Sequence, residues 1–220
     1  MKKHNGFTLA EVLITLGIIG VVAAITLPAI NSSTGSARNR ALLKKGLSTL
    51  NSAVMMNEAR EGWNFASIDE TGCFDNSNAR DHISMCRLLN SNLNGETQLG
   101  GGSGIAKTIT NTTNNSFMTS HRDFVTYELQ DGITIGMAGS VTGCIAPNGS
   151  CVGFIDINGD KGPNKIIECS SATLTFPIWS DSYARCEVNA DDTADVFPVT
   201  YYNSTVELAT NAAKAYFNAK

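Results

Sequence analysis

The hydrophobic positions of the chain change period twice. From Phe7 to Ile30 the run FTLAEVLITLGIIGVVAAITLPAI carries a single charge, Glu11. As a helix rising about 1.5 Å per residue it extends roughly 36 Å, enough to span a hydrocarbon layer of about 30 Å. Residues 31–36, Asn-Ser-Ser-Thr-Gly-Ser, are weak helix formers behind Pro28, so the helix is expected to bend or loosen there. Beyond Ala37 the apolar positions Leu43, Leu47, Leu50 and Val54 recur at helical spacing, with Arg38, Arg40, Lys44, Asn51 and Glu58 largely on other faces. This predicts an amphipathic helix that ends at Gly62 and carries Gly46 at a cost of about 1 kcal/mol relative to alanine.

The second change is to a period of two. Residues 63–120 are polar and rich in Asn, Ser, Thr and Gly, with loops at 100–104 and 111–116 and one short helix predicted at about 80–92. Alternation begins at Phe124: 124–129 and 133–137 read as strands joined by the Asp131-Gly132 turn, and Val152 to Ile157 reads as a third. The stretches 165–168, 173–178 and 197–202 read as further strands, and 206–218 as a terminal helix or docked tail. Together these predict an α+β architecture: a long N-terminal helix, hydrophobic and then amphipathic, packed on a mainly antiparallel sheet. The boundaries expected are a leader at 1–6, an apolar helix at 7–30, its amphipathic continuation at 31–62 and one extracytoplasmic β-rich domain at 63–220.

Charge then orients the chain. Lys2 and Lys3 precede the apolar run, and flanking basic residues stay on the cytoplasmic side, so everything after Ile30 is expected outside. A secretory signal peptide has a shorter apolar core of about 7–15 residues and an A-x-A-like site after it, which Asn31-Ser32-Ser33 does not supply. A plain anchor leaves Glu11 unexplained, because a carboxylate at the membrane centre costs roughly 2.5–3.5 kcal/mol.

The segment Gly6-Phe7-Thr8-Leu9-Ala10-Glu11-Val12-Leu13-Ile14, behind its short basic leader, resembles the processing site of type IV pilins and of the pseudopilins of type II secretion. The resemblance implies that a prepilin peptidase cuts after Gly6 and methylates Phe7. It also implies that Glu11 pairs with the terminal amine of a neighbouring subunit and that Pro28 is the proline that often kinks this helix. Residues 43–53 resemble the second half of the same long helix. The implied protein is a fibre subunit with no enzymatic activity, held single-pass in the bacterial inner membrane among lipid, then handed by an assembly platform to a periplasmic or cell-surface polymer of pilin or pseudopilin subunits. The physical logic agrees: the Phe7 amine is largely protonated near neutral pH, and that cation and Glu11 are each costly alone among apolar helices but tolerable as a pair. A minor or tip subunit that captures a surface ligand or DNA through residues 63–120 is the alternative function.

Composition narrows the rest. The net charge is −4, and loss of Lys2 and Lys3 leaves 14 basic against 20 acidic residues, which argues against a general nucleic-acid surface. Cys73, Cys86, Cys144, Cys151, Cys169 and Cys186 all follow the apolar run, on the side expected to be oxidising. Three disulfides are expected, Cys144 with Cys151 first among them on local spacing; buried free thiols are the other reading. No C-x-x-C, nucleophile-elbow, H-E-x-x-H or phosphate-loop motif is present. His82 and His121 stand outside any such motif, and Trp63, Trp179, Tyr201 and Tyr202 read as core or subunit-contact residues.

One loop retains candidate chemistry. Asp156-Ile157-Asn158-Gly159-Asp160-Lys161-Gly162-Pro163-Asn164 places oxygen ligands at alternate positions, Asp156, Asn158 and Asp160, which suits a hard cation such as Ca²⁺. It is not an EF-hand, because Ile167 stands where that loop has glutamate. Glu168, Asp191, Asp192 or Asp195 would have to complete such a site. Asn-Gly is also a strong turn sequence, so a polar hairpin loop is the second reading. The family resemblance adds that secretion pseudopilins often carry a structural calcium in a loop of the sheet domain.

Overall fold

The structure is a computed structural model that describes residues 8–69, 83–98, 109–110, 116–118, 124–138, 141–147, 151–159, 161–169, 186–188 and 194–219. Its first element, α1 (Leu9–Glu61), is a 53-residue helix. Thr8 caps its start: the Thr8 Oγ1 accepts the Glu11 N–H at 3.3 Å and the Glu11 carboxylate accepts the Thr8 N–H at 2.8 Å, a reciprocal capping box. Gly62 ends it in the left-handed region at φ 77°, as its position predicts, with its N–H on the Glu58 carbonyl. The expected loosening at 31–36 is not seen; the helix is continuous through Pro28 and Asn31–Ser36. Each weak former there costs at most about 0.7 kcal/mol, glycine about 1, while breaking a helix requires a second costly nucleation.

Five further elements precede the central strands or lie beside them. They are α2 (Met85–Asn92), β1 (Gly95–Gln98), β2 (Ile109–Thr110), β3 (Ser116–Met118) and, at the C-terminus, α3 (Asn211–Asn218). The central strands are β4 (Phe124–Leu129), β5 (Thr134–Ala138), β6 (Val152–Asp156), β7 (Val196–Tyr202) and β8 (Thr205–Leu208). The main sheet has the order β1-β4-β5-β6-β7-β8, every pair antiparallel, and β2 pairs β3 separately. The α+β reading therefore holds. Three expectations are corrected. β1 replaces part of a segment read as polar loop, residues 165–168 contribute only an Ile166–Val196 bridge, and 206–218 divides into a strand and a helix.

The helix meets the sheet where its apolar face was read. Leu43, Leu50 and Val54 are fully buried in one core cluster with Ile133, Ile135, Ile155, Phe197 and Val199, and Leu47 is half-buried at its margin. Each such aliphatic side chain stabilises the docking by about 1.5–3 kcal/mol. Gly46 now has a reason: a Cβ there would stand 2.9 Å from the Ile155 side chain, so the helix lies close against β6. Polar ties finish the seam, with Lys45 ion-paired to Asp131 and Arg40 and Lys44 set over the Tyr216 and Phe217 rings of α3. Buried Asn57 joins α1 to α2 by donating to the Trp63 carbonyl and accepting from Asn92, both at 2.9 Å.

The opposite face of the sheet is also covered. Ala138, Val152, Phe154, Ile166 and Val196 form a second buried cluster, so β5 and β6 are buried along their whole length. Two disulfides brace this domain, Cys144–Cys151, as expected from spacing, and Cys169–Cys186. Cys86 is also disulfide-bonded, and no described cysteine is free. Cys73 lies outside the described residues.

Candidate functional site

Among the described side chains, those from Thr8 to Val22 are exposed rather than buried in the domain. Leu9 is 81% exposed, and Leu13, Ile14, Leu16, Ile18, Ile19 and Val21 are each about as open as one another, on every side of the helix. A helix apolar all round is stable only in lipid or among other helices. Its polar groups are closed within the helix itself: the Thr15 hydroxyl donates to the Val12 carbonyl at 2.9 Å, and the Thr8 N–H and hydroxyl both donate to Glu11 Oε2, at 2.8 and 2.9 Å. Both bonds to Glu11 fall on one oxygen, and among the described residues no donor reaches Oε1. The carboxylate is thus held at the start of the helix with half of its acceptor capacity open to a donor from elsewhere.

Thr8-Leu9-Ala10-Glu11 before an apolar run is itself a capping-box signature, a second reason besides charge pairing for a glutamate at this position. Gly6 and Phe7 lie outside the described residues. Pro28 lies within the continuous helix. Among the described residues no helix is long and apolar enough to cross a membrane; the side chains described at this end run only from residue 8 to residue 24.

The loop after β6 is the second candidate. Asp156, fully buried, accepts the N–H groups of Asn158 and Gly159 on Oδ1, each at 3.1 Å, and Gly159 takes φ 65°. Asp195, from the far end of the connection to β7, is also buried and accepts the Asn164 N–H at 2.9 Å and the Lys165 N–H at 2.6 Å. Burial pushes the Asp195 carboxyl above its usual range, although these two donors and the Asn158 side chain pull the other way. The Asn158 amide also reaches the Gly162 carbonyl at 3.4 Å, before a cis Gly162–Pro163 bond. Asp160, Asp191 and Asp192 lie outside the described residues, and Glu168 is buried. Among the described residues no group of three or more His, Cys, Asp or Glu side chains could hold a metal. The structure therefore brings Asp156, Asn158 and Asp195 together, with Asn164 as a participant that spacing alone did not single out. The side-chain oxygens of Asn158 and Asn164 are buried and, among the described residues, accept no hydrogen bond.

An exposed apolar stretch of helix that continues into an amphipathic half docked on an antiparallel sheet is consistent with the pilin-like class of fold. Residues 1–27 match the family model described as the prokaryotic N-terminal methylation motif, the signature of type IV pilins and pseudopilins. No curated protein and no solved structure matches the chain.

Proposed function

We propose that this chain is a structural subunit of a pilin-like fibre. It is cut between Gly6 and Phe7 by a prepilin peptidase, waits in the inner membrane through residues 7–30, and is then extracted into a helical polymer whose core is the bundled first halves of α1. One observation supports this above the others: the methylation motif coincides with a stretch of α1 whose described large apolar side chains are exposed. Between the two known settings of such subunits, the compact domain favours a type II secretion pseudopilus over a type IV pilus. A long extracellular fibre formed without any secretion cluster overturns that choice.

Processing is tested by mass. Protein from its native host should begin at a methylated Phe7, and Gly6→Leu should accumulate with the leader attached. Recovery of a normal mature mass from that variant refutes the peptidase assignment.

The Asp156 loop supports a second, separate proposal. Its buried Asn158 and Asn164 oxygens, beside the carboxylates of Asp156 and Asp195, are all hard donors of the kind Ca²⁺ takes. Bound metal would add stability by mass action, so chelation should lower the melting temperature of the full chain by several degrees. An unchanged melt means the loop is closed by its own hydrogen bonds.

A further inference from the structure

β8 is one of the two edges of the main sheet. Across from it on β7, Tyr201 faces Val206 but sends its N–H the other way, to the Cys151 carbonyl at 3.0 Å. The Tyr201–Val206 pair is therefore the non-hydrogen-bonded kind, and the N–H and C=O of Val206 point away from β7. Such an outward pair in mid-strand is a template on which a further strand adds.

Here a side chain fills the place of that strand. Asn51, on the second half of α1, accepts the Val206 N–H on Oδ1 at 2.9 Å and donates Nδ2 to the Val206 carbonyl at 2.8 Å. Its remaining amide proton goes to the Leu47 carbonyl at 2.9 Å. The carboxamide carries the same donor and acceptor as a peptide group, so it satisfies Val206 as a neighbouring strand would and leaves neither group for another chain. Only Asn does this at this distance: Asp has no donor for the two carbonyls, and an aliphatic residue has neither function.

We infer that Asn51 closes the β8 edge at Val206 against strand addition by a second copy of this chain. The inference stands independently of the fibre reading, since it concerns the folded domain alone.

The test uses the full chain in detergent micelles and compares wild type with Asn51→Leu, which keeps the side-chain volume and improves helix propensity while leaving Val206 unpaired. Amide exchange at Val206 should accelerate roughly tenfold or more. Concentration-dependent association with an intermolecular β signature in the infrared should appear with it. Adding Val206→Pro should abolish that association, because proline on an outward-facing edge position removes the N–H without breaking a ladder bond. If Asn51→Leu does not fold, Asn51→Ser reads the same exchange and association. The inference fails if Val206 exchange is unchanged, if faster exchange brings no association, or if the association survives Val206→Pro, which would place it on another surface such as α1.

Discussion

Replacing Glu11 with alanine should abolish fibre assembly while leaving membrane insertion and the folded domain intact. The domain is indifferent because Glu11 lies on the exposed part of α1, and among the described residues its side chain hydrogen-bonds only to Thr8. Insertion is expected to improve slightly, since the carboxylate opposes it by roughly 2.5–3.5 kcal/mol wherever it reaches the membrane centre. Loss of the capping box loosens the first turn at a cost of about 1 kcal/mol, a local effect. Assembly carries the large penalty. In a bundle of apolar helices the terminal amine of the next subunit would be left buried without its partner, which costs about 3–5 kcal/mol. That weakens each subunit contact by more than about a hundredfold. Glu11→Gln separates the two roles, because the amide still accepts from Thr8 but carries no charge; it should insert and cap well and still fail to assemble. Sheared-fibre yield against membrane-fraction content reads both variants. Normal fibre from either one would mean that apolar packing alone sets the register.

How far the sequence spoke depended on whether a residue's partner was near it in the chain. Gly62 was legible because a helix end needs one residue at positive φ just past the last apolar position, a wholly local requirement. The β4–β5 hairpin was legible for the same reason, with Gly132 at φ 84° in the turn. β1 was not. Gly95-Glu96-Thr97-Gln98 has no apolar alternation, and its extended form comes from pairing with Leu129 through Thr126 some thirty residues later. β8 does not separate from the terminal helix or docked tail read over 206–218, because Val206 and Leu208 suit either period; the boundary is Thr210, whose hydroxyl caps α3 by accepting the Ala213 N–H at 3.1 Å. In the candidate sites the division is the same. Glu11 stood out as one charge in an apolar run, whereas the roles of Asp195 and Asn51 depend on backbone groups 30 and 155 residues away. Asn51 reads as one of the polar positions away from the apolar face, whereas its amide meets Val206 of β8.

Gly136→Ala should be the most damaging single-methyl change in the domain. Gly136 on β5 lies opposite Phe154 on β6, and the Phe154 ring rests across the glycine. A Cβ added there would stand 2.2 and 2.3 Å from two ring carbons, far inside contact distance. The ring has no exit. Phe154 is fully buried, enclosed by Ala138, Val152, Ile166 and Val196 on the face of the sheet away from α1. The backbones are close here as well, since a Cβ added at the neighbouring Gly153 would stand 2.4 Å from the Gly136 carbonyl. Overpacking of a core usually costs about 1–3 kcal/mol, and a clash with an immobile ring belongs at or above the top of that range. For a domain of this size about 3 kcal/mol lowers the melting temperature by roughly 6–12 °C, out of a total stability of only about 5–15 kcal/mol. Shrinking the ring should undo much of it. Phe154→Leu alone leaves a void and loses stability by itself, but combined with Gly136→Ala the methyl group occupies part of that void, so the double variant should be more stable than Gly136→Ala. Thermal melts of the three variants followed by circular dichroism measure the coupling directly. A Gly136→Ala protein melting within a degree of wild type, or a double variant whose losses simply add, would mean that the ring does not hold its place over the glycine.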